Sequence, residues 1–237
     1  MERIVLHIDV NSAFLSWSAV KLLEEGYKKD IRNEVAVVAG DPKKRHGIIV
    51  AASIPAKKLG IKAPINLYEA RRKYKDLIVV KPDYNYYYQK SKAMMDFLKK
   101  LFPEFQQYSI DECFIEYTSM KRIYGDEVKF AYKLKNELYK RFGFTVNVGI
   151  GNNKLCAKMA SDFEKPNKVH TLYEYEFKDK VWNLDISELF MAGKSSCKKL
   201  RELNINTIKD LACADYNMIV RNLKGIGEKT EKLFHIL

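Results

Sequence analysis

The chain of 237 residues contains no apolar run long enough to cross a bilayer as a helix. Its N-terminus, MERIVLHIDV, enters a strand-like segment and lacks the basic, apolar and small-residue layout of a secretory signal. Together these absences predict a cytoplasmic protein. Cysteine is sparse: Cys113, Cys156, Cys197 and Cys213 stand far apart with no CxxC pair. That spacing argues against a zinc site and predicts reduced thiols that serve in packing. Internal repeats and low-complexity tracts are missing as well. Acidic residues are in deficit, 30 Asp and Glu against 42 Lys and Arg, leaving a net charge of +12. An excess of this size points to a polyanionic partner such as nucleic acid, because each neutralised phosphate releases a condensed counterion. The basic residues are scattered, so the surface they form is folded rather than a tail.

What remains is an ordinary globular composition, 47% hydrophobic and 30% charged. RIVLHIDV at 3–10 reads as a strand buried on both faces. NSAFLSWSAVKLLEEG follows as a helix, with Asn11 or Ser12 as N-cap and Gly26 as its stop. EVAVVAG at 34–40 and GIIVAAS at 47–53 read as strands joined by a polar turn, PAKKLG as a short helix with Pro55 in its first turn, NLYEARRKY as another helix and LIVVKP as a strand. From Tyr84 to Phe102 the apolar spacing is helical, and its tyrosines are read as core. EFQQYSIDECFIEYT supplies two strand segments, DEVKFAYKLKNELYKRF an amphipathic helix and FTVNVGIG a strand. The alternation is βαββαβ, which predicts an α+β, ferredoxin-like sheet with helices on one face. After residue 168 the pattern turns to short helices, as in KSSCKKLRELNI and TIKDLACAD, and predicts a separate small helical unit.

The first strand and the SIDECF strand are neighbours in such a sheet, so Asp9 and Asp111 can meet. Two unit charges about 4 Å apart repel by roughly 4 kcal/mol at an effective dielectric near 20, so something must offset them. Basic partners, a raised pKa and a divalent cation all would. In the bland reading Asp9 caps the following helix and Glu112 points to solvent; in the sharper one, carboxylate oxygens bind Mg²⁺ beside substrate phosphates. Asp111 and Glu112 reach one site only if the strand begins irregularly, since adjacent strand residues face opposite ways. VNSAF offers backbone N–H groups at a helix start, and PAKK and EKPN offer Lys57, Lys58 and Lys165 as phosphate counter-charges.

Five ordered stretches resemble the Y-family DNA polymerases, the translesion enzymes of the polymerase IV and UmuC type: HIDVNSAFLS, AASIPAKKLGIK, SIDECF, VGIGNNKLCAKMASDFEKPN and LKGIGEKT. The resemblance runs over essentially the whole chain. It implies a palm at 1–10 and 80–167, α/β fingers at 11–79 and an all-α thumb with helix-hairpin-helix turns at 168–237. It implies a two-metal mechanism with Asp9, Asp111 and Glu112 as catalytic ligands of two Mg²⁺ ions and the Val10 carbonyl completing the nucleotide-side ion. Substrate contacts are then expected from Val10, Asn11, Ser12, Ala13, Phe14, Ser53, Lys57 and Lys165, with Phe14 at the steric-gate position that excludes a 2′-hydroxyl. Lys224, Gly225 and Gly227 fall in a thumb turn expected to approach a DNA phosphate.

Some positions depart from the family pattern. Ile54, Pro55, Ala56 and Lys57 stand where Tyr-Glu-Ala-Arg is common, so a point charge replaces a bidentate fork. Ala13 replaces a larger aromatic, and the first thumb hairpin keeps only Gly193. The expected partners are primer-template DNA and a deoxynucleoside triphosphate, with a sliding clamp reached through a C-terminal region, and the expected state is a monomer. The chain is expected to lack the family's little-finger domain, as a fragment, because EKLFHIL carries no helix-stop signal. A DNA-binding module without turnover and a nucleotidyl cyclase on the same palm are the alternatives. The cyclase accounts for neither the GIG turn nor the net charge.

Overall fold

The computed structural model describes residues 2–40 and 47–222. In chain order it runs β1 (Val5–Val10), α1 (Ala13–Glu24), β2 (Ala36–Ala39), β3 (Ile49–Ala52), α2 (Ile54–Lys58), α3 (Leu67–Lys73), β4 (Ile78–Val80) and α4 (Tyr84–Leu101). It continues with β5 (Phe105–Gln107), β6 (Glu112–Glu116), α5 (Lys121–Tyr124), α6 (Glu127–Phe142), β7 (Val146–Gly151), α7 (Lys154–Asp162) and β8 (Val169–Leu172). Four short helices close it: α8 (Phe177–Lys180), α9 (Lys194–Glu202), α10 (Ile208–Ala212) and α11 (Tyr216–Asn222).

The larger sheet has the order β5-β6-β1-β7-β8, with β1 antiparallel to both β6 and β7 and β8 parallel to β7. The first four strands in this order are the ferredoxin-like arrangement expected from the βαββαβ pattern. Strand alternation divides β1 between two cores. Leu6, Ile8 and Val10 join Met94, Leu98, Leu134 and Leu138 of α4 and α6. Val5, on the opposite face, packs with Phe114 and Ala157 of α7. Each such aliphatic side chain stabilises the fold by about 1.5–3 kcal/mol. The α7 helix lies so close to β7 that a Cβ on Gly149 would stand 1.9 Å from the Ala157 carbonyl oxygen and 2.4 Å from the Ser161 nitrogen. Only glycine fits there.

The smaller sheet, β3-β2-β4, is made of small aliphatic residues. Its β2 is buried throughout, with Ala36 and Val38 against Leu15 and Ala19 of α1, and Val37 and Ala39 against Ile49, Ala56, Ile61 and Leu67. α7 contributes Leu155, Cys156, Met159 and Ala160 to a further core that includes Phe177, Leu200, Ile208 and Ile219 of the C-terminal helices and Val181 just past α8.

Three local expectations change. Residues 169–172 form β8 and add a fifth strand to the large sheet, so the expected boundary at 168 falls just before a strand of that sheet; four residues, VHTL, are too few for alternation to register. Of the tyrosines on α4, Tyr87 is buried while Tyr84 and Tyr88 are exposed. Ser12 is the N-cap of α1 by position, in a left-handed conformation, but its side chain makes no capping bond.

Candidate active site

The central strand carries one acidic segment and its neighbour carries the other. Asp9 lies directly across from Glu112, and the Val10 N–H donates to the Asp111 carbonyl at 3.0 Å. Asp111 stands in a bend immediately before β6 begins at Glu112, which is the irregular strand start that the DE pair requires. Its carboxylate accepts from Ser109 Oγ at 2.7 Å. Asp9 and Asp111 both line a cleft of about 880 Å³ between the two sheets. Val10, Asn11, Ser12, Ala13 and Phe14 line it where β1 turns into α1, and Ile54, Lys57, Lys58, Lys62 and Lys165 line it as well, Lys165 beside Asp9.

The lysines are arranged against the acids. Lys165 Nζ bonds Asp9 Oδ2 and also pairs with Asp162 at 2.8 Å. Burial is the largest influence on Asp9 and raises its carboxyl above the usual carboxylate range, against the charge and hydrogen bond of Lys165; the Asp111 charge adds to the rise. Burial works against the Lys165 ammonium, but the charge of Asp9 and the hydrogen bond to Asp162 outweigh it and leave its pKa raised. Lys57 donates to Ser12 Oγ at 2.8 Å, and burial followed by the charge of Lys165 lowers its pKa. One lysine therefore does not fully compensate Asp9, and the cleft lining sets Lys57, Lys58, Lys62 and Lys165 against Asp9 and Asp111, a surplus of positive charge suited to a polyphosphate.

Glu112 does not line the cleft. Its Oε2 accepts from His7 Nε2 at 3.0 Å and from Lys158 Nζ on α7, and these bonds, His7 first, hold its pKa down at about 2. His7 is fully buried, two residues before Asp9 on the same face of β1. Its Nδ1 meets Ser161 Oγ at 2.8 Å, and that hydroxyl lies 2.7 Å from the Lys158 carbonyl, so both ring nitrogens of His7 are hydrogen-bonded. Neither His7 nor Lys158 was singled out by sequence reasoning. The i, i+2 spacing to Asp9 was the available signal for His7; Lys158 depends on how α7 docks.

Phe14 is half-buried, stacked on Tyr87 with centroids 5.1 Å apart and set edge-on to Tyr84 at 6.1 Å. Tyr87 is itself tied to Ser18 by a 2.6 Å hydroxyl–hydroxyl bond. Ala13 is buried in the core, and Ile54 is exposed into the cleft. Ser53 is a correction: it is buried outside the cleft, its Oγ donating to the Glu34 carbonyl at 2.7 Å and accepting from the N–H groups of Ala36 and Ala56, so it caps α2 instead of meeting a substrate. Lys224, Gly225 and Gly227 lie outside the described residues.

Among the described residues no three His, Cys, Asp or Glu side chains stand ready as a metal cage. The donor set nevertheless fits a hard divalent cation: carboxylates of Asp9 and Asp111 and the Val10 carbonyl share one sheet end, Glu112 stands across from Asp9, and Asp9 is left short of positive charge. Lys165 and Lys158 occupy Asp9 and Glu112 in this arrangement.

A family model described as impB/mucB/samB matches residues 8–162. A DNA polymerase IV from Clostridium acetobutylicum is 48% identical over 228 residues, covering 96% of this chain and 57% of that protein. Another from Acetivibrio thermocellus is 32% identical over 227 residues, covering 96% and 55%. Among solved structures, an insertion ternary complex of Dbh DNA polymerase aligns with a TM-score of 0.85 at 26% identity, covering 98% of this chain and 67% of that one. DinB from Sulfolobus solfataricus aligns at 0.81 with 26% identity, with the same coverage. The chain spans just over half the length of the curated relatives it matches.

Proposed function

We propose, for a chain that belongs to the impB/mucB/samB family and has the Y-family polymerase fold, that it carries the catalytic core of a translesion DNA polymerase. It adds deoxynucleotides to a primer 3′ end under direction of a template, in the service of DNA damage tolerance. The primer 3′-oxygen attacks the α-phosphorus of the incoming triphosphate, the bond to the β-phosphate breaks, and pyrophosphate leaves. The carrying observation is the joining of Asp9 and Asp111 in one cleft that is also lined by Lys57, Lys58, Lys62 and Lys165.

Each residue then has a task that its surroundings support. Lys165 and Lys57 take up triphosphate charge, as point charges rather than bidentate forks. Phe14, backed by Tyr87 and Tyr84, holds a rigid ring at the turn into α1 and excludes a 2′-hydroxyl by contact. Asp9, Asp111, Glu112 and the Val10 carbonyl would hold Mg²⁺, and two such ions, when bound, supply the electrostatic clamp on the attacking and departing oxygens. His7 and Lys158 fix the orientation of Glu112. The palm, fingers and thumb divide as 1–10 with 80–167, 11–79 and 168 onward, except that β8 at 169–172 belongs to the palm sheet. Primer-template DNA is the partner of the basic surface; the chain acts as a monomer in the cytoplasm, and a sliding clamp joins it through regions that the longer relatives carry.

Primer extension tests this. Asp111→Ala is expected to lower the rate by about 10³-fold or more while leaving DNA binding intact; undiminished extension overturns the role of Asp111. Phe14→Ala is expected to admit ribonucleotides, and unchanged sugar selectivity overturns the gate. Salt-sensitive DNA binding by the unaltered chain with no extension in Mg²⁺ or Mn²⁺ would identify a binding module instead.

A further inference from the structure

The turn that carries Lys165 is held from three sides by side chains outside the catalytic set. Asn147, on β7 and fully buried, uses all of its hydrogen-bonding capacity there. Its Nδ2 donates to the carbonyls of Ser161 at 2.9 Å and Glu164 at 2.7 Å. Its Oδ1 accepts from the Lys168 N–H at 3.1 Å and from Asn11 Nδ2 at 3.0 Å. Asn11 in turn accepts the Asn167 N–H on its Oδ1 at 2.8 Å, and Lys135 of α6, itself buried, donates to Asn167 Oδ1 at 2.9 Å. Asn167 takes a positive φ of 62°, a conformation asparagine tolerates. The backbone on both sides of Lys165, at Glu164 and at Asn167 and Lys168, is thus fastened to the sheet, while the Lys165 side chain is left to reach Asp9.

We propose that Asn147 is a positioning residue for Lys165: one carboxamide joins β7, the end of β1 and the 164–168 turn, and sets where the ammonium enters the cleft. The functional consequence rests on the reading of Lys165 as a triphosphate contact; the positional claim does not. A lysine displaced along a loosened turn still carries its charge but no longer presents it beside Asp9. The loss should therefore fall on nucleotide binding and leave DNA binding and the chemical step largely alone.

Two measurements on Asn147→Ala separate the positional from the functional claim. Lysine acylation followed by mass spectrometry reads Lys165 directly: bridged by Asp9 and Asp162, it should react slowly in the unaltered protein and several-fold faster in the variant, with exposed Lys75 as an unchanged control. Steady-state nucleotide incorporation should show KM for the triphosphate raised about tenfold, the size of one lost charge-assisted bond, with kcat and primer-template affinity within about threefold. In a Lys165→Ala background the KM effect of Asn147→Ala should vanish. Unchanged Lys165 reactivity in a folded variant overturns the positioning role. Faster Lys165 reactivity with an unchanged KM upholds it and overturns the triphosphate role of Lys165. If Asn147→Ala does not fold, Asn167→Gly, which keeps the exposed turn's backbone bond and removes only the Lys135 contact, should shift Lys165 reactivity in the same direction by a smaller factor, and no shift overturns the proposal.

Discussion

The two sheets of this molecule are built from opposite materials. The five-stranded sheet buries polar side chains on its central strands, His7 and Asn147, and every polar atom of both has a partner. The three-stranded sheet is alanine, valine and isoleucine throughout, with no titratable group in any of its strands. One holds charged groups in fixed directions; the other offers a smooth apolar wall, Val50 to Ala52, to the same cleft. Buried polar networks are costly when broken and orient what they touch, whereas small aliphatic strands tolerate substitution and supply shape. Chemistry and fit are thereby divided between two pieces of the chain.

The contrast is most open to attack at glycine. Gly149→Ala drives a methyl into the α7 backbone and is expected to cost more than about 4 kcal/mol, read as a collapse of the thermal midpoint or loss of folded protein. Gly47→Ala, beside the small sheet, meets nothing nearer than 3.4 Å and is expected to cost less than about 1 kcal/mol. Equal effects would erase the distinction. Next in size is Glu112→Gln. The folded-state carboxyl is held at about 2, below its ordinary 4.5, so it stabilises the protein above pH 4.5 and loses that contribution as pH falls toward 2. Urea unfolding should show the variant less stable by about 1–2 kcal/mol at pH 7, with the gap narrowing at pH 3.5. Smallest is Lys57→Met: its ammonium is disfavoured by burial and by Lys165, so stability should stay within about 0.5 kcal/mol while KM for the triphosphate rises.

The elements whose signals are local were legible. The helix at Tyr84–Leu101 and its partner at Glu127–Phe142 follow from the spacing of residues adjacent in sequence. The meeting of Asp9 with Asp111 also followed, once the βαββαβ order made their strands neighbours. What escaped depends on register across long separations: Lys158 against Glu112, Asn147 against Asn11, and β8 against β7 are fixed by the docking of α7. The paired glycines of VGIG carried a trace of that docking, since glycine in a strand marks a close backbone approach. Ser53 misled for a related reason, because a cap and a phosphate contact call for the same hydroxyl.

Asp9 sits on the middle strand of five, with neighbours hydrogen-bonded on either side. Peripheral strands fray first, so the amide hydrogens of Ile8 to Val10 should be among the last to exchange with deuterated water, escaping only when the whole domain opens. Wear at the edges of the molecule would then leave the Asp9 carboxylate in register.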